Sequence, residues 1–169
     1  MIRSRAAREK AHNIISMYRI NEPPVDIIKV AQSLGFIIIP FDFPETISAV
    51  IKIEGAKKII AVNKNHPEVR QRFSISHELG HYLSGHENFS HDRETLVDRD
   101  KKYLDPNHRE EEEADEFAAE LLIPEFMLKN DVLVNKLDAA SLAKKYNVSE
   151  QTMWIQLINL KLAAKQTHI

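Results

Sequence analysis

The strongest constraint on this chain is a segment with helical character at residues 72–86, which has the sequence RFSISHELGHYLSGH. Residues four positions apart lie on one face of an α-helix, so His77 and His81 can present two imidazoles to the same point. Glu78 lies beside that face. A His-Glu-x-x-His spacing of this kind supplies two metal ligands and a carboxylate next to the open coordination position. Chance predicts only roughly 0.03 such matches in a chain of this composition.

The composition restricts how a metal could be held. The chain has 169 residues, enough for one ordinary domain, and 43% of them are hydrophobic and 28% charged, as in globular proteins. It contains no cysteine, so disulfides and thiolate ligands are both excluded. Catalytic zinc usually has three protein ligands and a water, and here the third must be a histidine or a carboxylate. Such ligands also suit Mn²⁺ and Fe²⁺, so the sequence does not distinguish these metals from Zn²⁺.

A second helix, with the sequence REEEEADEFAAELLIP at residues 109–124, offers carboxylates for the third position. Its apolar positions define one buried face, made of Ala114, Phe117, Ala118, Leu121 and Leu122. Glu113 and Glu110 fall on or beside this face, and a buried carboxylate needs a partner such as a cation. The row formed by Glu112, Glu116 and Glu120 is expected to point to solvent. The residues alone leave both Glu113 and Glu110 open as ligands.

The remaining pattern predicts an α+β fold that is mostly helical. Helices are expected at 3–19 and 25–34, and three extended runs, FIIIP, ISAVIKI and KKIIAVN, predict a small antiparallel sheet. Pro67 suits the first turn of the helix that carries the histidines. Gly80 inside that helix is costly and suggests the close approach of another element. A change of character near residue 131 predicts two parts, a core at 1–130 and a helical appendage at 131–169.

The appendage resembles a helix-turn-helix. Ser149 is a plausible N-cap and Asn147 can adopt a turn conformation between the two helices. A DNA-reading helix needs basic and amide groups, and Gln151, Gln156 and Asn159 supply amides. The second helix is nevertheless heavily apolar, which favours packing on the core or docking of a partner protein over direct DNA binding.

The charge distribution also disfavours nucleic acid as the main ligand. The net charge is −2, but residues 87–130 hold 14 acidic against 6 basic residues, a local net of −8. This acidity leaves a basic protein as a candidate partner, although charged helix faces are most often simply solvated. Apolar runs such as residues 36–39 are too short to span a bilayer, and the N-terminus lacks signal-peptide character. We therefore expect a cytoplasmic protein without membrane contact.

Together these motifs resemble the ImmA/IrrE family of metallo-endopeptidases. The resemblance is carried, in order, by PPVDIIKVAQSLGF, IIAVN, RQRFSISHELGHYLSGH, EEEADEFAAELLIP and LAKKYNVSEQTMWIQLINL, which cover most of the chain. It implies a zincin-like peptidase core with zinc ligands at His77, His81 and Glu113 and a catalytic carboxylate at Glu78. Glu113 is the implied ligand because it directly precedes Ala-Asp, and Glu110 remains the fallback.

The resemblance implies a regulatory enzyme of bacterial or phage origin. Such an enzyme cleaves a helix-turn-helix transcriptional repressor at a specific site and thereby de-represses a mobile element, a prophage or a stress response. One alternative is a binding module, such as a toxin–antitoxin or phage component, that keeps its metal for structure and sequesters a partner without cutting it. Glu78 favours the enzyme, because a structural site has no need of a carboxylate beside the open position.

Several weaker features remain open. His86 and His91 could be extra ligands or oxyanion donors, although histidines in such positions are most often surface residues. Tyr82, Tyr103 and His108 are further candidates for stabilising an oxyanion, and nothing in the sequence ranks them.

Overall fold

The computed structural model describes residues 4–86 and 108–163. These ranges contain seven helices and three strands: α1 (Arg5–Met17), α2 (Ile27–Ser33), β1 (Phe36–Phe41), β2 (Ala49–Glu54), β3 (Lys57–Asn63), α3 (Glu68–Ser84), α4 (His108–Leu122), α5 (Glu125–Leu133), α6 (Ala139–Tyr146) and α7 (Glu150–Asn159). This is the mostly helical α+β fold that the sequence predicts. Helix α5 is not among the predicted elements. Within the described ranges, no helix combines the length and apolar character needed to cross a membrane.

The sheet is mixed, and the expectation of an antiparallel sheet is wrong. The strand order is β1-β3-β2, with β1 parallel to β3 and β2 antiparallel to β3. The β2–β3 hairpin is present as predicted, and Gly55 takes the positive φ of 57° that its two-residue turn requires. The error lies in β1, which pairs with β3 although β2 follows it in the chain.

The side chain of Asn63 binds the segment that connects β1 to β2. This buried residue ends β3, and its side-chain amide donates hydrogen bonds to the carbonyl oxygens of Phe43, Pro44 and Ile47 at 3.2, 3.0 and 2.8 Å. The connection between β1 and β2 is thereby held across the end of β3. Hydrogen bonds from the side chain of a distant strand are tertiary contacts. The hydrophobic periodicity of a segment and the residue types in its turns do not reveal them.

Helix α3 is the central element of the fold. It contacts β2, β3, α2 and α4, and α1 packs mainly on α4. Helices α3 and α4 approach closely at Gly80, where an added Cβ would lie 3.0 Å from Phe117 Cδ1 and 3.1 Å from Ala114 Cα. The absence of a side chain at Gly80 therefore sets the distance between the two helices, as the helical glycine suggests from the sequence.

We expect Gly80→Ala to destabilise the protein, although alanine is the better helix former by about 1 kcal/mol. The methyl group would overlap the backbone of α4 and force the helices apart, and overpacking of this kind typically costs about 1–3 kcal/mol. Urea unfolding of the wild type and the variant measures the difference. A variant that is more stable than the wild type would contradict the close packing at this crossing.

The C-terminal helices pack on the rest of the chain. Buried Leu142, Tyr146, Met153 and Leu157 belong to the same apolar cluster as the residues of α3 and α4. Between α6 and α7, Asn147 adopts the left-handed conformation, and the hydroxyl of Ser149 accepts a hydrogen bond from the backbone N–H three residues later. The cap and the turn are therefore confirmed.

A buried carboxylate on α5 fixes the position of α6. Asp131 accepts hydrogen bonds from Tyr146 Oη at 2.9 Å, Lys145 Nζ at 2.6 Å and Asn135 Nδ2 at 2.7 Å. Burial by itself raises the pKa of Asp131, but these three hydrogen bonds outweigh it, so the pKa lies below its usual value. The same contact and burial raise the pKa of the Tyr146 hydroxyl.

This carboxylate makes the stability of the fold dependent on pH. Because the pKa of Asp131 is lower in the folded chain than the unfolded value near 3.9, it stabilises the fold above about pH 4. That contribution is lost as the pH falls through the folded pKa. We expect Asp131→Asn to cost about 1–3 kcal/mol at pH 7 and progressively less toward about pH 3. Urea unfolding of the metal-free proteins measures the difference in unfolding free energy between the wild type and the variant at each pH. A difference that does not become smaller on acidification contradicts this role of Asp131.

Candidate metal centre

The two histidines of α3 meet a carboxylate of α4 at a single point. His77 Nε2 and His81 Nε2 are 3.0 Å apart, and the Glu111 oxygens lie 3.3 Å from the first and 3.4 Å from the second. Ligands bonded at 2.0–2.2 Å to a tetrahedral zinc ion are separated by about 3.3 Å. Among the described residues, His77, His81 and Glu111 are the group whose ligand atoms converge in this way. The geometry therefore fits a metal ion.

The outer nitrogens of both rings are already engaged. His77 Nδ1 lies 2.9 Å from Asp115 Oδ1, and His81 Nδ1 lies 2.9 Å from Nδ1 of His86. If each ligand histidine carries its proton on Nδ1, both Nε2 atoms present lone pairs to each other and to Glu111. Lone pairs so close together require a positive charge between them, either a proton or a metal ion. A contact between the outer nitrogen and a carboxylate, such as that of His77 with Asp115, is a common way to orient a metal-binding histidine.

The pKa shifts of His77 and Glu111 also indicate that the centre favours a positive charge. Burial opposes the charged form of His77, but hydrogen bonds to Asp115 and Glu111 and the nearby charge of Glu78 raise its pKa to about 10. For Glu111, burial is likewise outweighed by the two histidines, which hold its pKa well below the usual range. Both shifts have the same physical cause, which is that a positive charge among these groups is stabilised by the carboxylates around it.

Glu78 lies next to this group. Burial raises the pKa of its carboxyl above the usual value, the charges of His77 and His81 lower it, and the charge of Glu111 adds to the increase. The net shift is upward. A carboxyl group with a raised pKa beside an open metal position has the properties required of a general base that later acts as an acid.

The structure differs from the sequence-based expectation in the third carboxylate. Glu113 does not join the two histidines of α3. Its carboxylate lies 3.5 Å from His86 Nε2 and 3.3 Å from Arg109 Nε. Glu110, the fallback, is also outside the converging group. The carboxylate oxygens that lie beside both histidines belong to Glu111.

The packing of α4 explains the difference. The helix is covered by α1 as well as by α3, so a single apolar face does not describe it. Glu120, expected in solvent, is fully buried and contacts His12 Nε2 at 2.8 Å. On the α3 side, Ala114 lies against Gly80. Glu110 and Glu111 are four and three positions before Ala114, so helical spacing from this contact leads to these two carboxylates rather than to Glu113.

Asp115 is a site residue that sequence reasoning missed. It lies one helical turn after Glu111, so both carboxylates face α3, one toward the Nε2 atoms and the other toward the outer nitrogen of His77. The i, i+4 spacing of the two acids was the available signal. Its meaning depends on knowing which face of α4 meets the histidines.

The weaker candidates fall in different places. His86 is buried and contacts His81, so it is not a surface histidine. Tyr82 points elsewhere, since its hydroxyl accepts a hydrogen bond from Lys58 Nζ at 2.6 Å. His108 lies 3.3 Å from Glu112 at the start of α4. The other two candidates, His91 and Tyr103, lie outside the described residues.

A helix with the His-Glu-x-x-His motif, crossed by a second helix that brings a carboxylate to both histidines, defines the class of HExxH metallopeptidases. Comparison with protein families agrees with this class. Residues 31–157 match the model of the IrrE N-terminal-like domain of the M78 peptidases. The chain belongs to this metallopeptidase family, and the resemblance found in its motifs is confirmed.

Solved structures support the fold. A Mycobacterium tuberculosis transcriptional regulator superposes with a TM-score of 0.65 at 17% identity, over 89% of this chain and 46% of the regulator. The chain thus spans about half the length of that protein. A comparison with proteins of curated function gave no match.

Proposed function

We propose that this protein is a zinc-dependent, site-specific endopeptidase that cleaves a helix-turn-helix transcriptional repressor. The observation that carries the proposal is the convergence of His77, His81 and Glu111 within 3.0–3.4 Å of one another, with Glu78 beside them. A purely structural zinc site needs four closed ligands and no neighbouring base. Three ligands with a flanking carboxylate favour catalysis.

Each residue of the centre has a distinct task. His77, His81 and Glu111 would hold the ion, with His77 oriented by Asp115. When bound, zinc supplies an acidified water and Lewis-acid polarisation of a carbonyl group. Glu78 would accept a proton from the attacking water at its carboxylate and return it to the departing nitrogen, so that the amine leaves as a neutral group.

The nature of the substrate is supported by charge and by family. The first half of helix α4 carries Glu110, Glu112 and Glu113 beside Glu111 in the sequence. A segment of a DNA-binding repressor is typically basic, and a basic segment is attracted to an acidic surface. De-repression of a mobile element, a prophage or a stress response would follow from the cut.

The C-terminal helices serve this peptidase as support and as a surface for proteins rather than for DNA. Gln156, one of the amides available for reading bases, is buried and donates a hydrogen bond to the Ile123 carbonyl oxygen at 3.2 Å. Trp154 and Ile155 are exposed on the same helix. An outer face with these apolar side chains suits contact with a protein better than contact with base edges.

The test is a cleavage assay with helix-turn-helix repressors from the same genome, beginning with any that is encoded beside the gene for this protein. The zinc-loaded wild type should cut one of them at one position, and excess chelator should abolish cutting. If the wild type binds a repressor tightly but leaves it intact, the protein is a sequestering module. If it neither binds nor cuts any of them, such a repressor is not the partner, and the proposed substrate is wrong.

A further inference from the structure

His86 returns to the metal centre after the end of α3. Gly85 ends the helix with a positive φ of 68°, a conformation that glycine adopts readily, and the chain turns back toward His81. The His86 side chain is only 9% exposed. Its Nδ1 lies 2.9 Å from His81 Nδ1, and its Nε2 lies 3.5 Å from a carboxylate oxygen of Glu113.

The protons of this chain of contacts can be assigned from the metal ligand outward. His81 must keep the lone pair of Nε2 for the ion, so its proton is on Nδ1. That N–H donates to the ring of His86, which must accept through an unprotonated Nδ1. The remaining proton of a neutral His86 is then on Nε2 and points at the Glu113 carboxylate. Each atom has one role, and no donor faces another donor.

We propose that His86 is a positioning residue for the metal ligand His81 and that Glu113 holds His86 in the required tautomer. This role rests on the proposed metal centre and adds the residues that contact His81 on the side away from the ion. Each ligand histidine then has its own orienting acceptor: Asp115 for His77 and the His86–Glu113 pair for His81. Acceptors of this kind fix the ring of a metal-binding histidine and make its lone pair more basic.

Zinc affinity, measured by competition with a chromogenic chelator, tests the role directly and does not depend on any substrate. We expect His86→Ala to weaken zinc binding by about 10–100-fold, the usual effect of losing an orienting partner. His86→Asn places an amide oxygen near the position of Nδ1, so it should recover part of the affinity. His66→Ala is the matched control, because His66 is equally buried but contacts the Glu45 carbonyl oxygen, outside the metal centre.

The absorption spectrum of the cobalt-loaded protein provides a second readout. Loss of the His86 contact should shift the bands of His86→Ala relative to the wild type, whereas those of His66→Ala should stay unchanged. The proposal is overturned if the folded His86→Ala variant binds zinc within twofold of the wild type with an unshifted cobalt spectrum. If the wild type itself binds no zinc, both the proposed metal centre and the positioning role of His86 are contradicted. A wild type that binds zinc but cuts no repressor contradicts the proposed substrate alone.

Discussion

Glu78→Gln should reduce cleavage by at least about 10²–10⁴-fold while leaving zinc affinity nearly unchanged. Glutamine has almost the same shape as glutamate but cannot accept the proton that the reaction releases. The Glu78 carboxylate is not part of the converging group, so the substitution removes no ligand atom from it. The measurement is the rate of repressor cleavage at saturating zinc, together with zinc affinity by chelator competition.

Glu68→Gln is the matched control for this experiment. It makes the same substitution at the first turn of the same helix, where the Glu68 carboxylate accepts a hydrogen bond from Asn147 Nδ2 at 2.6 Å, away from the centre. We expect it to cleave at the wild-type rate. A Glu78→Gln variant that cleaves as fast as this control would remove Glu78 from the catalytic role.

The second large effect concerns the third ligand. Glu111→Gln should weaken zinc binding by more than about 100-fold, beyond the range seen when only an orienting partner is lost. Its carboxylate reaches both ligand histidines, at 3.3 and 3.4 Å, and an amide oxygen replaces its charge poorly. Glu113→Gln should cost less than about 10-fold, because the amide oxygen can still accept from His86.

These two variants are matched in chemistry, helix and charge change, and they differ only in which side of the centre they face. The reverse order of effects, with Glu113→Gln the more damaging, would assign the ligand to Glu113 as the family resemblance implies. Equal and small losses in both would show that the ion uses neither of these two carboxylates.

Much of the helix that carries the site can be predicted from the sequence, because its features depend on residues close together in the chain. The spacing of His77 and His81 specifies one face of a helix, and Gly80 signals the close approach that Ala114 of α4 makes. The hairpin of β2 and β3 is equally local, since it depends on a short turn with glycine. Features of this kind can be predicted from residue spacing and from the residue types in a turn.

The mixed sheet and the ligand carboxylate depend instead on contacts between distant residues. The connection that lets β1 pair with β3 is bonded by Asn63, which lies about twenty residues further along the chain. Glu111 and Glu113 have similar sequence surroundings, and only the crossing of α3 with α4 separates them. Burial of Glu120 by α1 follows from the same tertiary packing. A single-face analysis cannot anticipate a helix that is covered on two sides.

Diffraction from crystals of the zinc-loaded protein, with anomalous data collected at the zinc edge, tests the central claim most directly. We expect one strong peak within about 2.0–2.2 Å of His77 Nε2, His81 Nε2 and a carboxylate oxygen of Glu111. A peak bonded to Glu113 in place of Glu111, or no peak between the two histidines, would contradict the proposed metal centre.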